Sequence, residues 1–355
     1  MPDGAAPEAR VRTERVRVLR SAPWLEAAEA HRLPILSEAE RSEMWMCFAP
    51  ELVHLEEVRL IPRDWLLLAP HGLLIESLDP MMPLKPAKAA HISAYARGEA
   101  TLELPEGERT IDEPCVLLGN HSSHYHWLLY HLPRLVALER VAELRDLRLV
   151  VGEEILPQQL ESLQMLGIGE ARLLKLPADA VYLCKSLWVP PALTDRMHAH
   201  PAALRWLRRV FTGSENPRPR GGRVLTSRRD APIRHLVNEE EIADGLAPLG
   251  FRLARCGALG FAEQVRLFSE AQAVVGGTGS ALSNAVFVPG GSLIMELHNY
   301  EGALFLDFLC MQLGQYYERV IGELRPQAPG TKLHNCDFHV PPALLRERLA
   351  AAGIR

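Results

Sequence analysis

The chain has 355 residues, more than one hydrophobic core usually serves, so two domains are expected. Hydrophobic residues at 48% and charged residues at 23% are ordinary for a globular protein, and a formal net charge of −5 offers no basic face for a nucleic-acid partner. The six cysteines, at 47, 115, 184, 256, 310 and 336, are scattered and form no C-x-x-C, which argues against a disulfide framework or a structural zinc site.

The cysteines read as reduced thiols, and cytoplasmic localisation is expected. The polar N-terminus lacks the apolar centre of a signal peptide. No run of about 18 apolar residues predicts a membrane-spanning helix. Peripheral membrane contact stays open, and the sequence does not specify an oligomeric state.

Residues 1–20 read as a flexible tail. Residues 52–78 alternate as β-structure through Val53, Val58, Leu60, Leu66 and Leu68. A strand over 115–119 leads into the polar loop Asn120–His124, and a helix is expected from about Tyr125 toward Val141. Strand 147–151, helix 157–166 and strands 171–176 and 180–188 follow. A helix is predicted over 195–211. The Gly/Pro-rich stretch 212–222 is the strongest loop or boundary signal in the chain.

Beyond it come strand 223–227, helix 238–248, strand 251–255, helix 261–271 and strand 272–276. A small-residue loop then opens a helix. Strand 292–297, helix 302–313, strand 315–320 and a terminal helix over 341–353 complete the chain. Strands alternating with helices predict a doubly wound α/β fold of two Rossmann-like domains facing a cleft. The expected division is an N-terminal domain over 21–205, a C-terminal domain over 206–325 and a final segment over 326–355.

Four constellations could carry chemistry. The loop Gly276-Gly277-Thr278-Gly279-Ser280, with Ser283 and Asn284 beyond it, lies between a strand and a helix. Small residues there let backbone N–H groups approach a diphosphate; the bland alternative is a tight turn. Arg228, Arg229 and Arg234, with Asn238, follow a strand end. Guanidinium groups there suit phosphate oxygens, unless they are solvated arginines paired with Asp230 or Glu239.

His121, His124 and His126, with His131 a turn further on, crowd a strand-to-helix junction. Histidine suits general-base work on a hydroxyl. His126 is the leading candidate because Trp127 and the helix should anchor it. A metal site built on H-x-x-H-x-H and simple loop capping compete with that reading. Glu296, at the end of a buried strand, could accept both ribose hydroxyls of a nucleotide or form a buried ion pair. No Asp-x-Asp occurs in the chain, so no metal and no cofactor is expected, and protein cations would stabilise a leaving diphosphate.

Together these stretches resemble glycosyltransferase family 61. The resemblance rests on His126-Trp127-Leu128-Leu129 with Leu132-Pro133-Arg134-Leu135, and on Ser227-Arg228-Arg229-Asp230-Ala231 with Arg234, Asn238 and Glu239. Gly250-Phe251, Glu263-Gln264, Phe268, Asn284, Phe287 and Glu296 continue it. It implies a GT-B fold and an inverting, metal-independent transfer from a nucleotide-sugar donor to a saccharide or other hydroxyl acceptor. Arg228, Arg229, Arg234, Asn238, Thr278, Gly279, Ser280, Asn284 and Glu296 would line the donor site. The terminal helix would cross back onto the first domain. The sequence departs from the family pattern at Thr278, where members often carry histidine, and at Ala281, where they often carry glycine. A catalytically silent nucleotide- or carbohydrate-binding protein, and a metal hydrolase using the histidines, are the rival readings.

Overall fold

The computed structural model describes residues 11–19, 31–43, 51–70, 72–74, 91–96, 98–195, 197–302, 305–325 and 327–354. Residues 1–10 and 20 of the expected tail, and 71 and 75–78 of the expected β-segment, lie outside them. The chain divides into two compact units. The first comprises Met1–Ser122, Leu129–Leu156 and Ile168–His200; the second comprises Ser123–Leu128, Pro157–Gly167 and Pro201–Arg355.

The first unit is built on a large mixed sheet. Its strands include β1 (Val11–Leu19), β2 (Glu51–Ile61), β3 (Cys115–Leu117), β4 (Arg148–Gly152), β5 (Leu173–Leu176) and β6 (Ala180–Val189). Strands β5, β4, β3 and β6 run parallel in that order, while β6 pairs antiparallel with β2. The expected Rossmann-like character is thus confined to one flank, and antiparallel strands extend the sheet beyond it. Val58, Leu60, Leu117, Val150 and Leu187 form the core on one face.

The expected tail is corrected at residues 11–19. They form β1, antiparallel to the strand Glu99–Pro105. Its alternating burial ends on Val18, and the Arg59 guanidinium bonds both oxygens of Glu14 at 2.9 and 3.0 Å. The high charge of this stretch masks its two-residue period.

The second unit holds five parallel strands: β7 (Gly222–Thr226), β8 (Phe251–Ala254), β9 (Ala271–Gly277), β10 (Leu293–His298) and β11 (Tyr316–Ile321). Their order is β8-β7-β9-β10-β11. This doubly wound order reverses between β7 and β9, so the loops after those strands border the crevice where such sheets hold ligands. The helices are α1 (Pro157–Met165), α2 (Pro201–Thr212), α3 (Glu239–Leu246), α4 (Phe261–Ser269), α5 (Phe305–Gln312) and α6 (Pro342–Ala351). Stretch 212–222 is a loop inside this unit, since α2 before it already belongs there.

Two expected helices change form. The one over 125–141 breaks into an α-turn at His124–His126, a π-turn at Trp127–His131 and a 3-10 turn at Leu132–Leu135. Pro133 lacks the N–H that a continuous ladder needs. The segment after β9, Ser280–Phe287, is a 3-10 helix. Ser283 Oγ donates to Ser280 O at 2.6 Å and Asn284 Nδ2 to Ala281 O at 3.1 Å, three residues back, which tightens the turn. The terminal helix α6 packs Leu345 and Leu349 against Ile242 and Leu246 of α3, within the second unit.

Candidate functional site

Strand β7 delivers Ser227 and Arg228 to the crevice edge. Glu239, buried at the start of α3, accepts from Ser227 Oγ at 2.6 Å and from Arg228 N at 2.7 Å. Arg228 is therefore fixed at its backbone before its side chain crosses the glycine loop. A Cβ on Gly277 would come within 2.6 Å of Arg228 Cδ, and one on Gly279 would overlap Arg228 Nη1. Only glycine leaves room for the Arg228 side chain, its stem at the first place and its guanidinium at the second.

Arg228 donates from Nε to Arg234 O at 2.9 Å and from Nη2 to Ile233 O at 2.8 Å. No described residue bonds its Nη1. Arg234 sits in left-handed backbone at φ 62°, a strained conformation for a non-glycine residue. Its Nη1 reaches Thr278 only at 3.4 Å (O) and 3.5 Å (Oγ1), and its Nε is buried without a hydrogen-bond partner among the described residues. Burial lowers the Arg228 pKa to about 10, with Arg234 repulsion adding to it; burial also lowers that of Arg234. Arginine at that value still carries its charge at neutral pH. Two adjacent cations with spare donors, and no ion pair to a described carboxylate, can receive a diphosphate.

At the other end of the loop, His124 Nε2 lies 3.1 Å from Asn284 Oδ1, and its ring tilts against Phe261. Asn284 is fully buried and donates from Nδ2 to Gln264 Oε1 at 2.9 Å. Gln264 in turn donates to Cys256 O at 3.1 Å and Leu259 O at 3.3 Å. Burial holds the His124 imidazole below its ordinary pKa, against the Asn284 bond, which favours the charged form.

Residues 124–295 match the family model described as Glycosyltransferase 61. Over this segment the chain is similar to glycosyltransferase family 61. The match takes in Arg228, Arg234, the glycine loop, Gln264 and Asn284, and it supports a glycosyltransferase. No curated protein matches the chain. Among the solved structures similar to it are two of TibC. One is the iron-containing dodecameric glycosyltransferase TibC from enterotoxigenic E. coli H10407, at 12% identity and TM-score 0.29, covering 64% of this chain and 68% of that one. The other is dodecameric iron-containing heptosyltransferase TibC in complex with ADP-D-beta-D-heptose, at 12% identity and TM-score 0.30, covering 78% and 80%. At these scores the two likenesses carry no weight for fold or chemistry.

Several residues expected to line the donor site are engaged by other protein groups. Arg229 is exposed and turns to Glu240 at 2.6 Å and Glu239 at 3.6 Å. Asn238 stitches the chain to Val340, donating to its O at 2.8 Å and accepting from its N at 3.2 Å. Glu296 is buried and accepts from Tyr317 Oη at 2.6 Å, with Arg319 Nη2 at 3.7 Å, so the ion-pair alternative holds. Thr278 is buried with its N–H on Leu297 O at 2.8 Å, while Ser280 is exposed at the mouth of the loop.

The histidines separate. His121 is exposed and belongs to the first unit. His131 is buried there, with Nδ1 2.9 Å from Leu118 O. His126 is half-buried beside the Tyr125 ring, 5.3 Å away edge-on. Among the described residues no group of three or more His, Cys, Asp or Glu could hold a metal ion. Sequence reasoning missed the anchoring role of Glu239; a glutamate following Asn238 gave no local sign that it would be buried under Ser227.

Proposed function

We propose that this chain is an inverting, metal-independent glycosyltransferase of GT-B arrangement. It moves a sugar from a nucleotide-sugar donor to a saccharide or other hydroxyl acceptor in bacterial glycan synthesis. The observation that carries this reading is the pair Arg228 and Arg234 over Gly277–Gly279, at the reversal point of a parallel sheet, with donors left over for an anion. The family 61 match supports the sugar-transfer part of it.

In this reaction the acceptor hydroxyl oxygen attacks the anomeric carbon from the face opposite the diphosphate. The carbon–oxygen bond to the diphosphate breaks and its electron pair stays on the leaving phosphate oxygen. Arg228, Arg234 and the loop backbone around Gly279 and Ser280 stabilise that negative charge. His124 takes the acceptor proton and later releases it to solvent. It is favoured over His126 because Asn284 fixes its ring, and because its lowered pKa keeps it neutral and able to accept.

Calorimetry against UDP, GDP and ADP, followed by assays with the matching nucleotide sugars, tests the reading. Nucleoside-diphosphate binding with sugar transfer or donor hydrolysis is expected. Binding without either would leave a nucleotide-binding protein, and no binding at all would overturn the proposal.

A further inference from the structure

The bonds behind His124 form a directed chain, and the direction decides which ring nitrogen is basic. Gln264 Nε2 faces two carbonyl oxygens, Cys256 O and Leu259 O. Those oxygens only accept, so the Gln264 amide is oriented with Oε1 pointing the other way, at Asn284 Nδ2, 2.9 Å off. Asn284 Nδ2 also faces Ala281 O at 3.1 Å. Turning either amide over would set oxygen against oxygen at buried positions, which the low-dielectric interior penalises strongly. Asn284 Oδ1 therefore faces His124 Nε2 as an acceptor at 3.1 Å, and Nε2 carries the hydrogen. In the neutral ring Nδ1 is then left with its lone pair, and no described residue bonds it.

We propose that Gln264, acting through Asn284, holds His124 as the Nε2–H tautomer and so makes Nδ1 the atom that takes the acceptor's proton. Gln264 and Asn284 are positioning residues: neither needs to touch the sugar. Loop geometry serves the same end. The 3-10 turn Ser280–Phe287 carries Asn284 into the core, and α4 carries Gln264 to meet it. The inference rests on His124 being the base, so its test must separate the tautomer from the proton transfer.

Selective ¹⁵N-histidine labelling does this without substrate. The His124 signals are assigned by their loss in His124→Asn. Expected in the parent protein are a protonated Nε2 and an unprotonated Nδ1 at neutral pH. In Gln264→Leu the Asn284 amide keeps only Ala281 O to fix its orientation, so some of the other tautomer is expected beside the Nε2–H form. In Asn284→Asp the carboxylate favours the imidazolium, so the His124 titration midpoint should move upward. An unmoved midpoint in a folded Asn284→Asp would show that residue 284 does not bond the His124 ring and would overturn the proposal.

Turnover is read as hydrolysis of whichever UDP-, GDP- or ADP-sugar the parent cleaves. Gln264→Leu should lower kcat by about 10- to 100-fold with donor KM unchanged, short of the roughly 10²–10⁴-fold a general base supplies. A parent His124 protonated on Nδ1 would overturn the proposal outright, even if Gln264→Leu failed to fold. An unchanged tautomer in a folded Gln264→Leu would remove Gln264 from it. The expected tautomer together with full turnover in His124→Asn would overturn the proton-transfer half and, with it, the reading of His124 as base.

Discussion

Arg234 combines two features that work against folding: left-handed backbone, and a buried Nε that no described residue bonds. Strain of this kind costs roughly 1–3 kcal/mol and an orphaned buried donor a similar amount. A bound anion would satisfy the donors. Arg234→Ala should weaken nucleoside-diphosphate binding by about 1.5–3 kcal/mol, or 10- to 150-fold, and lysine should restore only part because it lacks the planar fork. Arg234→Gly sharpens the test. Glycine relieves the backbone strain, so the melting temperature should hold or rise while affinity falls as it does in the alanine variant. A glycine variant that binds like the parent would make Arg234 a mere turn residue.

His298 makes a second residue-scale prediction. It is buried, accepts from Tyr300 N at 3.2 Å, and burial aided by Arg319 and Arg234 lowers its pKa to about 4. The folded value lies below the ordinary 6.5, so the unfolded chain binds the proton more readily. The contribution is fully present above about pH 6.5 and is lost as pH falls toward 4. Urea titrations at pH 7 and pH 5 should show a larger loss of stability for the parent than for His298→Asn.

At the scale of elements, the loop after β9 works because its glycines admit the Arg228 side chain and because the 3-10 turn beyond them is pinned at its far end. Arg208 of α2, buried, donates to Val286 O at 2.7 Å and Val288 O at 2.5 Å, placing a cation on the carbonyl end of Ser280–Phe287. Gly279→Ala should displace the Arg228 guanidinium and weaken diphosphate binding about as far as Arg228→Ala does, by the roughly 10-fold or more of a lost charge-assisted contact. Gly169→Ala is the control, since a Cβ there meets nothing within 4 Å. Equal affinities for the two alanine variants would show that the loop's fit to Arg228 is irrelevant to binding. The broken helix over 124–140 illustrates the same scale: its apolar periodicity is plain in the sequence, but Pro133 and the π-turn redirect the side chains the periodicity would have aligned.

At the scale of the whole molecule, the proposed chemistry relies on protein cations, so nucleoside-diphosphate affinity should be the same with and without EDTA. A large loss on chelation, restored by a divalent cation, would refute metal independence. Much of the second unit was legible beforehand. Its five strands and most of its helices fall within a few residues of the expected positions, because apolar alternation and helical spacing are local patterns that a parallel α/β sheet reads directly. The glycine loop was legible for the same reason: small residues between a strand and a helix have few other uses. What the sequence could not decide is which polar side chains face the crevice. Arg228 and Arg229 are neighbours of identical chemistry, yet one lies over the loop and the other pairs with Glu240. His124 and His126 differ by their partners, and the partner of His124 lies 160 residues away. Strand β1 needed a partner strand 80 residues on before its charges could be seen to flank a pleat. Periodicity is written within a few residues of the chain, whereas a rotamer, a tautomer or an ion pair is set by groups that only the folded packing brings within hydrogen-bond reach.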